Sequence, residues 1–237
     1  MSSEPLLDLR GVSKRFNGLL AVDDVSFTVQ PGEIVGLVGP NGSGKTTTIN
    51  LISGVIFADA GQILVAGRPI HRLPPFRRVH LGINRSFQVP KPFRDMTVAE
   101  NIEVAIKFGG GSDVKPRQIL SELGLAVHQE KLASSLTANQ QKMLDLSRAL
   151  ATQPRLLLVD EIGAGLNPSE LAGVADLLKK LAARGIALLV VEHLLNFLNR
   201  VTDHVIVLDA GSKLFEGTLK DAAKDRQVVT AFLGDQL

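Results

Sequence analysis

Three features of the sequence predict an α/β fold built on a mainly parallel sheet. Short apolar runs without polar alternation, "IVGLVG" at 34–39, "RLLLVD" at 155–160 and "IALLVVE" at 186–192, read as strands covered on both faces. Segments of helical period lie between them, as βαβ crossovers require. The first run ends in a glycine-rich loop and the second in a pair of acids, and the carboxyl edge of such a sheet is where ligands gather.

Each element follows from its local chemistry. Residues 6–10 and 25–29 ("VSFTV") have β-rich, alternating character, and "QPGE" turns the chain into the first apolar strand. "KTTTINLISG", 45–54, reads as a helix that stops at Gly54. "GQILVAGRPI", 61–70, reads as strand, turn, strand. From about 86 to 150 the pattern is helical: "TVAENIEVAIKF", "PRQILSELGL" and "SSLTANQQKMLDLSRAL", with "GGGSD" at 109–113 as a flexible connection. In the third of these, Leu144, Ala149 and Leu150 are expected to face a core, with Lys142, Asp145 and Arg148 turned outward. "PSELAGVADLLKKLAARG" is a helix with Asn167 as N-cap, Pro168 in the first turn and Gly185 as stop. "HVIVLDAGSKLFEG" is a hairpin turning at "AGS".

Composition narrows the function classes. The 237 residues are ample for a buried core, and 45% hydrophobic with 21% charged is ordinary globular usage. A net charge of +2 gives no basis for a nucleic-acid or anionic-membrane partner. Cysteine is absent, which excludes a disulfide framework and thiolate metal sites. The opening "MSSEPLLDLR" lacks a basic stretch followed by an apolar run, so no secretory signal is expected. No apolar run approaches bilayer-spanning length, so a membrane role is expected only through a partner.

"GPNGSGKT" at 39–46 fits G-x-x-x-x-G-K-[ST], the phosphate-binding P-loop or Walker A motif. Gly39, Gly42 and Gly44 let the backbone curl so that successive N–H groups converge on phosphate oxygens. Lys45 can reach the β- and γ-phosphates, the Thr46 hydroxyl can ligate Mg²⁺, and the following helix adds its positive end. Asn41, Ser43 and Thr47 complete the candidate nucleotide cradle. This motif alone leaves kinase, GTPase and motor-type ATPase open.

The acids narrow the choice. Asp160 and Glu161 sit at the carboxyl end of a buried strand, the Walker B arrangement. Asp160 is positioned to hold Mg²⁺ through water, and a glutamate in the next place can orient or deprotonate an attacking water. The interval from Lys45 to Asp160 leaves room for a helical insertion, and no N-K-x-D or T-K-x-D guanine reader occurs.

The remaining segments are "SKRFNGLLAVDDVSF", "GINRSFQVPKPFRDMTVAEN", "LTANQ" at 136–140, "GLNP" at 165–168 and "VVEHLL". With the two Walker motifs, and in this order, they resemble the nucleotide-binding subunit of ATP-binding cassette (ABC) transporters over nearly the whole length. The nearest likeness is to the ATPases of branched-chain amino acid-type uptake systems, a style that urea, amide and aromatic-acid importers share. The resemblance implies one nucleotide-binding domain over 1–237: a catalytic core with an antiparallel β subdomain in 1–85 and 151–237, and a helical, signature-bearing subdomain in 86–150. It implies ATP and Mg²⁺ as cofactors. It implies that Phe16 stacks on adenine, that Gln88 touches the metal and the attacking water, and that His193 contacts the γ-phosphate.

In that family two cassettes pair head to tail, and each signature covers the nucleotide held by the other's P-loop. The usual signature reads L-S-G-G-Q or L-S-Y-G-Q. Here Leu136 and Gln140 match and Thr137 keeps a hydroxyl, while Ala138 and Asn139 fill the middle places. If the backbone needs φ > 0 at Asn139, the cost is about 1 kcal/mol or less. A side chain there that displaces one preorganised donor is the larger risk, on the order of a hundred- to a thousand-fold in rate. Thr137, Asn139 and Gln140 therefore serve the partner's nucleotide, and a heterodimer with a second ATPase is favoured over a homodimer. "DEI" in place of D-E-P, with Ile162, is a second departure.

The resemblance further implies permease subunits in the membrane, a solute-binding protein acting indirectly, no nucleic acid, and a peripheral place on the cytoplasmic face of the inner (plasma) membrane. The groove near Gln88, including "VPKPFRD", is expected to receive a cytoplasmic permease helix. A weakly or non-hydrolysing regulatory cassette and a soluble, non-transport ATPase are the alternatives.

Overall fold

Two sheets and the helices packed on them make up the computed structural model, which describes residues 4–110 and 114–233. The chain opens with β1 (Leu7–Phe16), β2 (Leu19–Val29), β3 (Ile34–Val38), α1 (Lys45–Ser53), β4 (Ala60–Val65) and β5 (Arg68–Pro69). Next come α2 (Pro75–His80), β6 (Ile83–Arg85), α3 (Val98–Gly109), α4 (Pro116–Glu122) and α5 (Ala138–Ala151). The last part holds β7 (Leu156–Asp160), α6 (Pro168–Ala183), β8 (Ala187–Val191), α7 (Leu195–Val201), β9 (His204–Asp209), β10 (Ser212–Gly217), α8 (Leu219–Ala222) and α9 (Arg226–Leu233). Residues 111–113 of the expected "GGGSD" connection lie outside the described residues.

The six-stranded sheet runs β10-β9-β3-β8-β7-β6, parallel except for the β9–β10 hairpin. Every residue of β3, β7 and β8 is buried, because helices or strands cover both faces. The two-residue period divides their side chains between two cores. Leu157, Val159, Leu188 and Val190 point into one, shared with α3, α5 and α6. Leu156, Leu158, Leu189 and Val191 point into the other, against α1 and the β1–β2 ribbon. Each such Leu or Val contributes about 1.5–3 kcal/mol by leaving water. The four-stranded sheet, order β2-β1-β4-β5, is antiparallel throughout.

Caps fall where the sequence places them. Asn167 accepts from the Ser169 and Glu170 N–H groups, Pro168 opens α6, and Gly185 follows its end with φ 91°. Gly54 caps α1 at φ 81°. The hairpin turns through Ala210 and Gly211, both at positive φ.

Three expectations are corrected. β1 and β2 are twice as long as the apolar stretches suggest, because their outer halves carry polar residues on an exposed ribbon. Asp145 does not face outward: it is 4% exposed, and its Oδ2 accepts the Phe87 N–H at 2.7 Å, a local need that overrides helical periodicity. Asn139 does not adopt positive φ. It is the second residue of α5, in ordinary helical backbone.

Candidate functional site

β3 ends at Val38 and α1 begins at Lys45, and the loop between them curls through Gly39, Gly42 and Gly44 at φ 148°, 80° and 105°. A Cβ on Gly39 would lie 2.1 Å from the Leu208 carbonyl oxygen, and one on Gly44 2.7 Å from that of Ala21. Gly42 has open space before it. The loop is thus packed tightly on its outer side and bare on the side of a cleft of about 310 Å³. That cleft is lined by Asn41–Thr47, Glu161 and His193, and by Leu19–Ala21 and Ala210, which sequence reasoning did not single out. The β1–β2 turn forms its rim, and Phe16, exposed, pairs with Leu19 across that turn.

Lys45 is 6% exposed, and its Nζ donates to the carbonyls of Gly39 at 2.8 Å and Pro40 at 2.9 Å. Burial pushes its ammonium below the ordinary lysine range, opposed by the nearby charges of Glu161 and Asp160. A cation held by its own loop, beside a bare cradle of backbone, is a donor set that suits a polyphosphate. A magnesium ion would find Thr46 on the first turn of α1 and Asp160 at the end of β7.

β7 delivers the acids. Glu161 follows it with φ 46°, an uncommon conformation for a residue with a Cβ. Both of its carboxylate oxygens are engaged. Gln88 Nε2 donates to Oε2, and His193 Nε2 lies 3.0 Å from Oε1. Three residues far apart in sequence therefore meet at the rim of the cleft. Asp160 lies deeper, 5% exposed, with Oδ2 at 3.0 Å from Nη2 of Arg85. Burial pushes its carboxyl up and Arg85 draws it back.

The segment after Glu161 is also fixed. Ile162, 3% exposed, fills the core that α5 and α6 share, which accounts for an apolar residue there. Glu192, 3% exposed, accepts the Gly163 N–H, and Lys142 donates to the carbonyls of Ile162 and Ala164.

Thr137, Asn139 and Gln140 do not line this cleft. Thr137 and Gln140 form a capping box at the start of α5, and Gln140 Nε2 lies 2.9 Å from His128 Nε2. Asn139 Nδ2 donates to Glu170 of α6 at 2.9 Å, so its amide is held by its own chain. Arg85 and Glu192 were missed by sequence reasoning, because a charged residue in or beside a strand reads as solvated until the fold buries it.

Comparison with known proteins agrees with this geometry. The family model described as "ABC transporter" matches residues 22–164. The high-affinity branched-chain amino acid transport ATP-binding protein LivG of Escherichia coli (strain K12) is 34% identical, covering 98% of this chain and 99% of its own. The lipopolysaccharide export system ATP-binding protein LptB of Acidithiobacillus ferridurans is also 34% identical, covering 98% of each. Among solved structures, the ADP conformation of an ATP-binding cassette of an ABC transporter superposes with TM-score 0.86 at 30% identity, over 98% of this chain and 99% of that one. With its P-loop cradle and its paired acids, the chain belongs to the ATP-binding subunits of ABC transporters and is an ATPase cassette.

Proposed function

We propose that this subunit hydrolyses ATP to energise a membrane importer for branched-chain amino acids or related small polar solutes. The observation that carries the hydrolytic assignment is the meeting of Gln88, Glu161 and His193 at the rim of the P-loop cleft. The solute class rests on the full-length likeness to LivG.

Magnesium-bound ATP supplies an activated phosphoryl group when it is held in the cleft. The chain's own residues do the rest. The N–H groups of the Asn41–Thr47 loop and the Lys45 ammonium hold phosphate oxygens, and Phe16 covers the base. Thr46, Asp160 and Gln88 would hold the metal. Glu161 orients a water and takes its proton at a carboxylate oxygen. His193 steadies the other carboxylate oxygen and faces the γ-phosphate.

The signature residues Thr137, Asn139 and Gln140 do not line this cleft and, in this reading, serve a second cassette. A partner ATPase is favoured over a second copy, because Asn139 stands where a glycine would leave the phosphate approach bare. In this reading the groove beside Gln88 receives a permease helix, and the chain works as a peripheral subunit on the cytoplasmic face of the membrane. Among the described residues no helix is long and apolar enough to cross a membrane itself.

The test is the tagged chain isolated with its membrane complex in lipid. Hydrolysis stimulated several-fold by leucine, isoleucine or valine supports the reading. Stimulation by lipopolysaccharide instead, as the likeness to LptB would have it, overturns the solute class and the direction.

A further inference from the structure

Arg85 joins three parts of the molecule that the reaction needs to coordinate. It is the last residue of the edge strand β6, and its side chain is only 10% exposed. Nη2 lies 3.0 Å from Oδ2 of Asp160. Nη1 donates at 2.7 Å to Oδ1 of Asn50, on the helix that starts at Lys45. The guanidinium plane sits 4.6 Å from the ring centroid of Phe87, the residue before Gln88.

The same side chain forms part of a second cavity, a groove of about 260 Å³ whose walls include Phe76, Phe87, Phe93 and Phe108. Further polar groups line the same groove. Phe87 N–H donates to Asp145 Oδ2 at 2.7 Å, Arg148 lies 3.6 Å from the other oxygen of Asp145, and the Arg148 guanidinium covers Phe93 at 5.0 Å. The Nε groups of Arg85 and Arg148 are buried without a partner among the described residues. A buried, forked donor that spans an acid, an amide and an aromatic face has few arrangements open to it. Lysine cannot reproduce such a bridge.

We propose that Arg85 is a positioning residue: it holds Asp160 and the aromatic wall of the groove in one arrangement, so that a change at either is felt at the other. This rests on the reading of Asp160 as a metal-holding acid. It is separate from the Gln88 contact, because the polar partners of Arg85 are Asn50, Ser53 and Asp160 rather than Glu161 or Gln88. By reciprocity, whatever enters the groove alters how Asp160 is held in place, and occupancy of the nucleotide cleft alters the groove.

The test uses the full chain, which contains no Trp or Tyr. Phe93→Trp then provides a lone emitter on the groove wall. ADP is added first, then Mg²⁺, and emission is followed alongside ADP affinity and thermal melting. In this parent, Mg²⁺ added to the ADP-bound protein is expected to shift the emission. Arg85→Met is expected to cut that shift at least threefold while ADP affinity without metal stays within twofold. Arg85→Lys is expected to fall between the two, and it carries the test if the Met variant fails to fold. A parent that binds ADP with no emission shift, or a shift of full size in the folded Arg85 variants, overturns the proposal. A parent that binds no nucleotide at all contradicts the functional reading above instead.

Discussion

Replacing Arg78 with methionine should destabilise the protein by about 3 kcal/mol. Arg78 is fully buried. Its Nη1 donates to the carbonyls of Leu51 and, at 2.8 Å, of Ile52, and its Nε donates to that of Leu73 at 2.8 Å. Leu51 and Ile52 lie in the last turn of α1, where carbonyls have no intrahelical partner. The guanidinium thus caps the helix that begins with the P-loop lysine, and its charge suits the negative end of that helix. Three charge-assisted bonds at about 2 kcal/mol each give about 6 kcal/mol. Against this, burial pushes the Arg78 guanidinium down to about 10, about 3 kcal/mol against the charged form. Methionine keeps the stem's volume but leaves three carbonyls dry and unpaired. Urea unfolding followed by far-UV circular dichroism is the assay, since there is no Trp or Tyr to report by fluorescence. A melting point lower by about 6–12 °C should accompany the loss. Arg78→Met within 1 kcal/mol of the parent would refute the capping argument.

Further consequences can be checked separately. Gly39→Ala should cost more than 3 kcal/mol and weaken ATP binding at least tenfold, because the new Cβ would meet backbone, whereas Gly42→Ala should cost about 1 kcal/mol; equal costs in denaturant melts would contradict the packing described. His204 lies 2.9 Å from Glu33, with Glu216 and Asp203 also near; Glu33 raises its pKa, while burial, which pushes the Glu33 carboxyl up, is outweighed by hydrogen bonds from His204 and Gln30 that together hold it low. The histidine's contribution is present below its unfolded value of about 6.5 and is lost as pH rises through its higher folded value. The carboxylate's contribution is present above about 4.5 and is lost as pH falls through its lower folded value. His204→Gln should therefore destabilise most near pH 5–6 and least above pH 8, and a pH-independent difference in melting would count against the pair. Asn139→Gly in the purified lone chain should raise steady-state ATPase by about tenfold or more; equal or lower rates would remove the argument for a second, different ATPase.

The P-loop and the acids were legible in the sequence because each is local: a strand, a turn and a helix start bring Gly39–Thr46 together without help from the rest of the chain. The sheet was legible for a similar reason, since a strand covered on both faces has no polar alternation to hide it. What could not be read depends on tertiary contact. Helix α2 hides in "HRLPPFRRVH", a polar stretch with two prolines, and only its packing shows that Pro75 starts a helix and Arg78 is its buried anchor. Asp145 looks like a solvated helix residue until the Phe87 backbone arrives to be satisfied. Asn139 looked like a strained glycine substitute, yet it occupies plain helical backbone and spends its amide on Glu170. Gln88 and His193 could be named by their place in the chain, but their shared grip on Glu161 is a property of the folded molecule alone.

The role assigned to that gripped carboxylate is open to a direct measurement. Glu161→Gln keeps the shape and removes the base, so nucleotide binding and turnover should part. The variant is expected to bind ATP with magnesium within about threefold of the parent while turnover falls on the order of a hundredfold or more. Full turnover in the variant would contradict the assignment of Glu161 as the group that takes the proton from water.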